Sequence, residues 1–219
     1  MGAGAMRAWF QQLREPVSGL THGGAAVLAG AGLIPLVVAG WGDLARLASL
    51  IVYGLSLVAL FAASAAYHLV QAAPEIIQRL RKLDHSAIYV LIAGTYTPFC
   101  VNVFMADWRW IVLAVIWALA GVGVTVKVFT LRAPRWLTAG LYLLMGWIGV
   151  IPLVLDAGGF DPQTVAWLFA GGLAYSLGAI VYVTKRLDFW PGTFGFHEVW
   201  HLFVIAGAAC HFVSVMVSV

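Results

Sequence analysis

The length of its apolar runs limits this chain more than any other feature. From Gly19 onward, predominantly apolar stretches follow one another with only short polar interruptions. Each is about 20 residues long, which is what an α-helix needs to cross the hydrocarbon core of a bilayer. In lipid a backbone must satisfy its own polar groups, so such runs become helices. The expected fold class is therefore all-α, a seven-transmembrane helix bundle with spans at 19–40, 45–70, 84–105, 109–130, 135–155, 163–184 and 197–218. Composition agrees, since 63% of the residues are hydrophobic and only 10% are charged, too few to cover a soluble surface.

The interruptions are Trp41–Gly42–Asp43, Ala73–Pro74–Glu75, Asp107–Trp108–Arg109, Ala133–Pro134–Arg135, Asp156–Ala157–Gly158–Gly159 and Trp190–Pro191–Gly192. None has room for a soluble domain. The chain divides into a cytoplasmic N-terminal tail, residues 1–18, and one membrane domain, residues 19–219. Residues 1–16 hold Arg7, Arg14, Glu15 and Pro16 without the short apolar stretch of a cleavable leader. Pro35, Pro98 and Pro152 fall inside spans and are expected to kink them, because each lacks a backbone donor. Cys100 and Cys210 both lie in apolar runs and read as small fillers rather than a disulfide framework.

Basic residues set the orientation. Arg7, Arg14, Arg79, Arg81, Lys82, Lys127, Arg132, Arg135, Lys185 and Arg186 fall on one side of the predicted topology, and only Arg46 and Arg109 on the other. Ten against two is a strong positive-inside bias, placing the N-terminus in the cytoplasm and the C-terminus outside. The net charge of +3 is thus a topology signal, and nucleic acid is not an expected partner.

Ionisable side chains inside spans are costly, so each is a functional candidate. They are Ser64 (as a polar neighbour), His68, Asp84, His85, His197, Glu198, His201 and His211. His68 closes the second span, Asp84 and His85 open the third, and His197 and His201 open the seventh. All reach one level near the cytoplasmic face. His197 and His201, four apart, project from one helical face. With His68 they form three nitrogen ligands with an open fourth position, the layout of a catalytic zinc site. Ser64 lies one turn from His68, and Asp84 supplies a carboxylate that can orient a water or an imidazole. The plainer alternative for Asp84 is a helix N-terminal charge paired with Arg or Lys. His85 reads as a neighbour of the site rather than a ligand. His22 and His211 read as polar groups snorkelling to an interface, and His211, about 15 Å along the helix from His201, is too far to share a metal. His197–Glu198–Val199–Trp200–His201 also spells H-E-x-x-H, the zinc motif of metalloproteases. An intramembrane protease would add an aspartate ligand from another span, and only His211 and two serines follow as polar groups here.

Three motifs together resemble one family. Ser64–Ala65–Ala66–Tyr67–His68 looks like its S-x-x-x-H signature. Leu83–Asp84–His85–Ser86–Ala87–Ile88–Tyr89, with Ala93–Gly94–Thr95–Tyr96–Thr97–Pro98, resembles its third span. Gly195 to Phe203 resembles its H-x-x-x-H seventh span. The family is hemolysin III, the bacterial branch of the adiponectin and progestin receptor superfamily, grouped with alkaline ceramidases. The resemblance runs from Thr21–His22 to His211–Phe212. It implies seven spans and Zn2+ held by His68, His197 and His201, with Asp84 and Ser64 beside the bound water. One departure stands near the start, where the usual E-x-x-N-x-x-T-H has Ser18 in place of Asn.

The expected function is a zinc-dependent hydrolase in a bacterial plasma membrane, acting on an amide or ester of a membrane lipid at the cytoplasmic side. Asp84 and Ser64 are the catalytic candidates and an acyl-chain lipid the expected partner. The alternative is a non-enzymatic protein with structural zinc, either pore-forming and cytolytic or lipid-sensing.

Overall fold

The structure is a computed structural model that describes residues 13–104, 108–155, 160–190 and 193–219. Arg7, Asp107, residues 156–159, Pro191 and Gly192 lie outside the described residues, so the expectations placed on them have no structural counterpart here. Eight helices are found among the described residues: α1 (Pro16–Gly40), α2 (Leu44–Leu69), α3 (Pro74–Asn102), α4 (Arg109–Phe129), α5 (Arg135–Trp147), α6 (Val150–Leu155), α7 (Pro162–Thr184) and α8 (Phe196–Ser218). One isolated bridge, Trp190 to Phe194, is the extended pairing recorded among them.

Local chemistry explains where these helices begin and end. Pro16, Pro74 and Pro162 open α1, α3 and α7, where a missing N–H costs nothing. Asp43 caps α2 by accepting from Ala45 and Arg46 amides, and Asp161 caps α7 through Thr164. The α1–α2 turn passes through Gly42 at φ 90°, a backbone region that favours glycine.

Six helical segments are long and apolar enough to cross a membrane, counting Arg135–Val154 as one. The chain is an integral membrane protein. Helix α3, at 29 residues, is long enough but too polar to join them. It also starts ten residues before the expected 84, so Arg79, Arg81 and Lys82 are on helix rather than in a loop. The reason is that span length limits only the part in lipid. Pro74 and Glu75 make a good N-terminus, and the helix then continues as a charged extension.

Packing explains why the middle of α3 tolerates polarity. Helix α3 packs against α2, α4, α5 and α8, and Ala87, Leu91, Ala93, Thr95, Thr97 and Cys100 are all buried. Thr95 and Thr97 return their hydroxyls to Leu91 and Ala93 carbonyls one turn back. By contrast, α1 presents Val27, 74% exposed, with Leu28, Ile34 and Val38 on a bare apolar face. Helix α1 closes the bundle by packing on both α2 and α8. Gly94 permits the α2–α3 approach, because a Cβ there would overlap the Ser56 hydroxyl.

The prolines within the helical segments differ in whether the helix runs on through them. Pro35 and Pro98 sit within continuous helix, whereas the segment expected as the fifth span breaks between Trp147 and Val150. Pro152 has no N–H for the carbonyl four residues earlier, that of Ile148, and its ring crowds that carbonyl. The Tyr96 hydroxyl of α3 enters the gap. It receives the Gly149 N–H at 2.5 Å and faces the Gly146 and Met145 carbonyls at 2.7 and 3.0 Å. A side chain inserted in the helical ladder, with a proline beyond it, accounts for the break.

Candidate metal centre

His68 ends α2, and His197 and His201 occupy the first two turns of α8. Their spacing stacks the last two on one face, and the packing of the bundle brings His68 against them. Ring centroids are 4.6 Å apart for His197–His201, 4.8 Å for His68–His201 and 5.1 Å for His68–His197. Each histidine offers a ring nitrogen, and these nitrogens lie within 4.8 Å of one another. His68 and His201 are each 1% exposed. His68 Nε2, His197 Nε2 and His201 Nδ1 are buried without a hydrogen-bond partner among the described residues. A buried polar atom left unpaired is costly. Three imidazoles that each bring a ring nitrogen within 4.8 Å of the others fit a transition-metal ion, which would satisfy such unpaired nitrogens.

The chain preceding α1 completes the surroundings. Glu15 Oε2 lies 2.6 Å from His68 Nδ1, and the Glu15 amide donates to the His68 carbonyl at 2.9 Å. The hydrogen bond from His68 holds the Glu15 carboxyl below its ordinary range, against the opposing effect of partial burial. Arg14 lies over the Tyr67 ring at 4.2 Å, next to His68. One turn on, Ser18 is fully buried and donates to Glu198 Oε1 at 2.7 Å. Glu198 Oε2 accepts the Gly195 amide at 2.8 Å, capping α8.

These contacts correct several expectations. Glu198 is a cap and a brace to α1, so H-E-x-x-H here does not present a base to the histidines as in a metalloprotease. Ser18, the residue departing from the family pattern, has a definite task in that brace. His22 does not snorkel: it is 3% exposed, stacks on His201 with centroids 3.8 Å apart, and points Nε2 at the His201 carbonyl at 3.4 Å. His211 is not a snorkelling group either, since its Nε2 donates to the Leu168 carbonyl at 3.2 Å inside the bundle. It stands apart from the three converging histidines, as its distance along α8 requires. Glu15 was missed as a site residue, although Glu15, Ser18 and His22 are spaced i, i+3, i+7 and so share one face.

Asp84 and Ser64 are both buried and line a common cavity of about 200 Å³ with His22 and His85. Asp84 lies beside the Ser64 hydroxyl and within Coulombic reach of His68. From this polar end the cavity continues between α3, α5, α7 and α8 to Phe104 and Phe160. Leu91, Ile92, Leu143, Leu153, Leu168 and Val204 are among its apolar walls. An end carrying Asp84, Ser64, His22 and His85, joined to largely apolar walls, suits a ligand with a polar group on a hydrocarbon chain.

The sequence is similar to known proteins over nearly its whole length. The family model described as Haemolysin-III related matches residues 10–212. Hemolysin-3 of Bacillus cereus is 35% identical over 206 residues, covering 92% of this chain and 90% of that protein. The Hemolysin-3 homolog of Bacillus subtilis (strain 168) is 34% identical over 211 residues, covering 94% and 95%. The adiponectin receptor protein of Drosophila melanogaster is 33% identical over 147 residues, covering 60% of this chain and 33% of that one.

Proposed function

Because the chain belongs to the haemolysin-III family and is related to the adiponectin receptors, we propose that it is a zinc-dependent hydrolase cleaving an amide or ester bond of a membrane lipid. The observation that carries this reading is the set of three buried imidazoles that each offer a ring nitrogen within 4.8 Å of the others, with Asp84 and Ser64, one turn from His68, lining a largely apolar cavity. His68, His197 and His201 would hold the metal. Bound there, zinc lowers the pKa of a water to about 7 and polarises a carbonyl. Asp84 would orient a water for attack and take its proton, and Ser64, beside it, would hold the carboxylate in place. The apolar channel receives the acyl chain and keeps bulk water away from the bond to be cut.

In this reading α3 crosses the membrane as the third of seven spans, its polar residues shielded by the helices around it. The ten-to-two distribution of basic residues then puts the metal centre at the cytoplasmic side and the C-terminus outside. The membrane is the bacterial plasma membrane. The test is metal analysis of purified protein, followed by hydrolysis of a panel of lipid amides and esters by wild type and His197→Ala. One zinc per chain and a turnover lost with His197 support the proposal. Zinc without turnover on any lipid refutes the enzymatic part and leaves a non-enzymatic, lipid-sensing protein with structural zinc.

A further inference from the structure

The chain ahead of α1 grips one metal-ligand candidate twice. The Glu15 amide bonds the His68 carbonyl, and the Glu15 carboxylate bonds the His68 ring at Nδ1. These two bonds do different work. The first satisfies a carbonyl at the end of α2 that the helix itself leaves without a donor. It would dock the segment with any residue but proline at 15. The second acts on the ring. A neutral imidazole has one N–H, and a carboxylate accepts it only from the nitrogen it faces. With Nδ1–H committed to Glu15, the lone pair belongs to Nε2, the buried nitrogen that has no partner. Glu15 is not itself one of the clustered groups, since among the described residues the group whose atoms lie within 4.8 Å of one another is His68, His197 and His201.

We infer that Glu15 is a positioning residue of the metal centre, setting the tautomer and rotation of His68 so that Nε2 is presented to the ion. This rests on the zinc reading above but not on hydrolysis. Carboxylate–histidine–metal relays of this kind raise ligand basicity, and losing the outer partner typically costs about 10–100-fold in metal affinity. The neighbouring Ser18–Glu198 side-chain bond serves another purpose: it ties α1 to the start of α8, and the contact Ser18 makes with the His201 ring is through its backbone, which a side-chain substitution keeps. The two residues therefore separate orientation of a ligand from attachment of the segment.

The experiment uses the purified full chain in detergent, with zinc affinity read by competition against a chromophoric chelator. Glu15→Ala keeps the amide bond to His68 and, at a side chain 42% exposed, opens no core cavity. It is expected to weaken zinc binding about 10–100-fold. Glu15→Gln retains an oxygen that can accept from Nδ1–H and should recover part of that loss. Ser18→Ala should hold zinc within about threefold of wild type while lowering the unfolding midpoint of the metal-free protein. Cobalt(II) loaded in place of zinc gives a second readout, and its visible absorption bands should shift in Glu15→Ala but not in Ser18→Ala. If Glu15→Ala does not fold, Glu15→Gln carries the test with the same two readouts. The assignment is overturned if the Glu15 variants bind zinc as wild type does, or if Ser18→Ala weakens it equally. A wild-type chain that takes up no zinc overturns the metal reading along with it, whereas a zinc-binding wild type without lipid turnover leaves the assignment standing.

Discussion

Replacing Tyr96 by Phe removes a single oxygen, and the structure says which backbone groups lose their partner. The hydroxyl receives the Gly149 N–H at 2.5 Å and donates toward the Gly146 carbonyl at 2.7 Å, inside the break of the fifth span. The ring stays, so no packing volume is lost. Two groups at this part-buried break lose their partner, each costing up to about 1–3 kcal/mol if nothing replaces the bond. Hydrogen bonds between helices in a membrane average nearer ~0.6 and at most ~1.7 kcal/mol, because the unfolded chain in lipid also finds partners. The backbone cannot simply reclose, since Pro152 keeps the ladder open. We therefore expect Tyr96→Phe to destabilise the protein by about 1–3 kcal/mol. That corresponds to a fall of several degrees in the unfolding midpoint in detergent. Tyr89→Phe is the control, because the Tyr89 hydroxyl has no hydrogen bond recorded among the described residues. It should stay within about 0.5 kcal/mol of wild type. Zinc content should be the same in both variants, as neither touches the histidines. Equal midpoints for wild type, Tyr96→Phe and Tyr89→Phe would refute the inserted-hydroxyl account of the break.

Further expectations concern the centre and the topology. Ala at His68, His197 or His201 should each remove most of the zinc measured by elemental analysis, whereas His211→Ala should leave it; equal losses at His201 and His211 would contradict the geometry. Asp84→Asn keeps the side-chain shape and should keep the zinc, but should lower lipid hydrolysis about 10²–10⁴-fold, the usual loss of a general base. Unchanged turnover would remove Asp84 from the chemistry. Single cysteines at Gln163 and Val219 should label with impermeant reagent from outside intact cells, and those at Glu75 and Lys185 should not. Labelling of Val219 only from the cytoplasm would make the number of spans even and overturn the proposed orientation.

Much of this protein is written locally in the chain. Apolar runs of span length require helices, because lipid offers the backbone no other partner. A four-residue spacing puts His197 and His201 on one face by helical geometry alone. Helix caps such as Asp43 and Asp161 act within three residues of themselves. The remainder depends on residues that the sequence holds far apart. Glu15 meets His68 across 53 positions, and Ser18 meets Glu198 across 180, so neither residue advertises its partner. Ser18 could only be noticed as a departure from a pattern until α1 was seen packed on α8. The polarity of α3 reads as a flaw in a membrane span until its neighbours are known to surround it. Tyr96 reads as one more aromatic residue, and only the approach of α3 to the fifth span turns its hydroxyl into a substitute for a missing rung. Hydropathy and helical periodicity are properties of neighbours along the chain and could be read directly. Hydrogen-bond partners and cavities are properties of neighbours in space, and helix packing alone chose them.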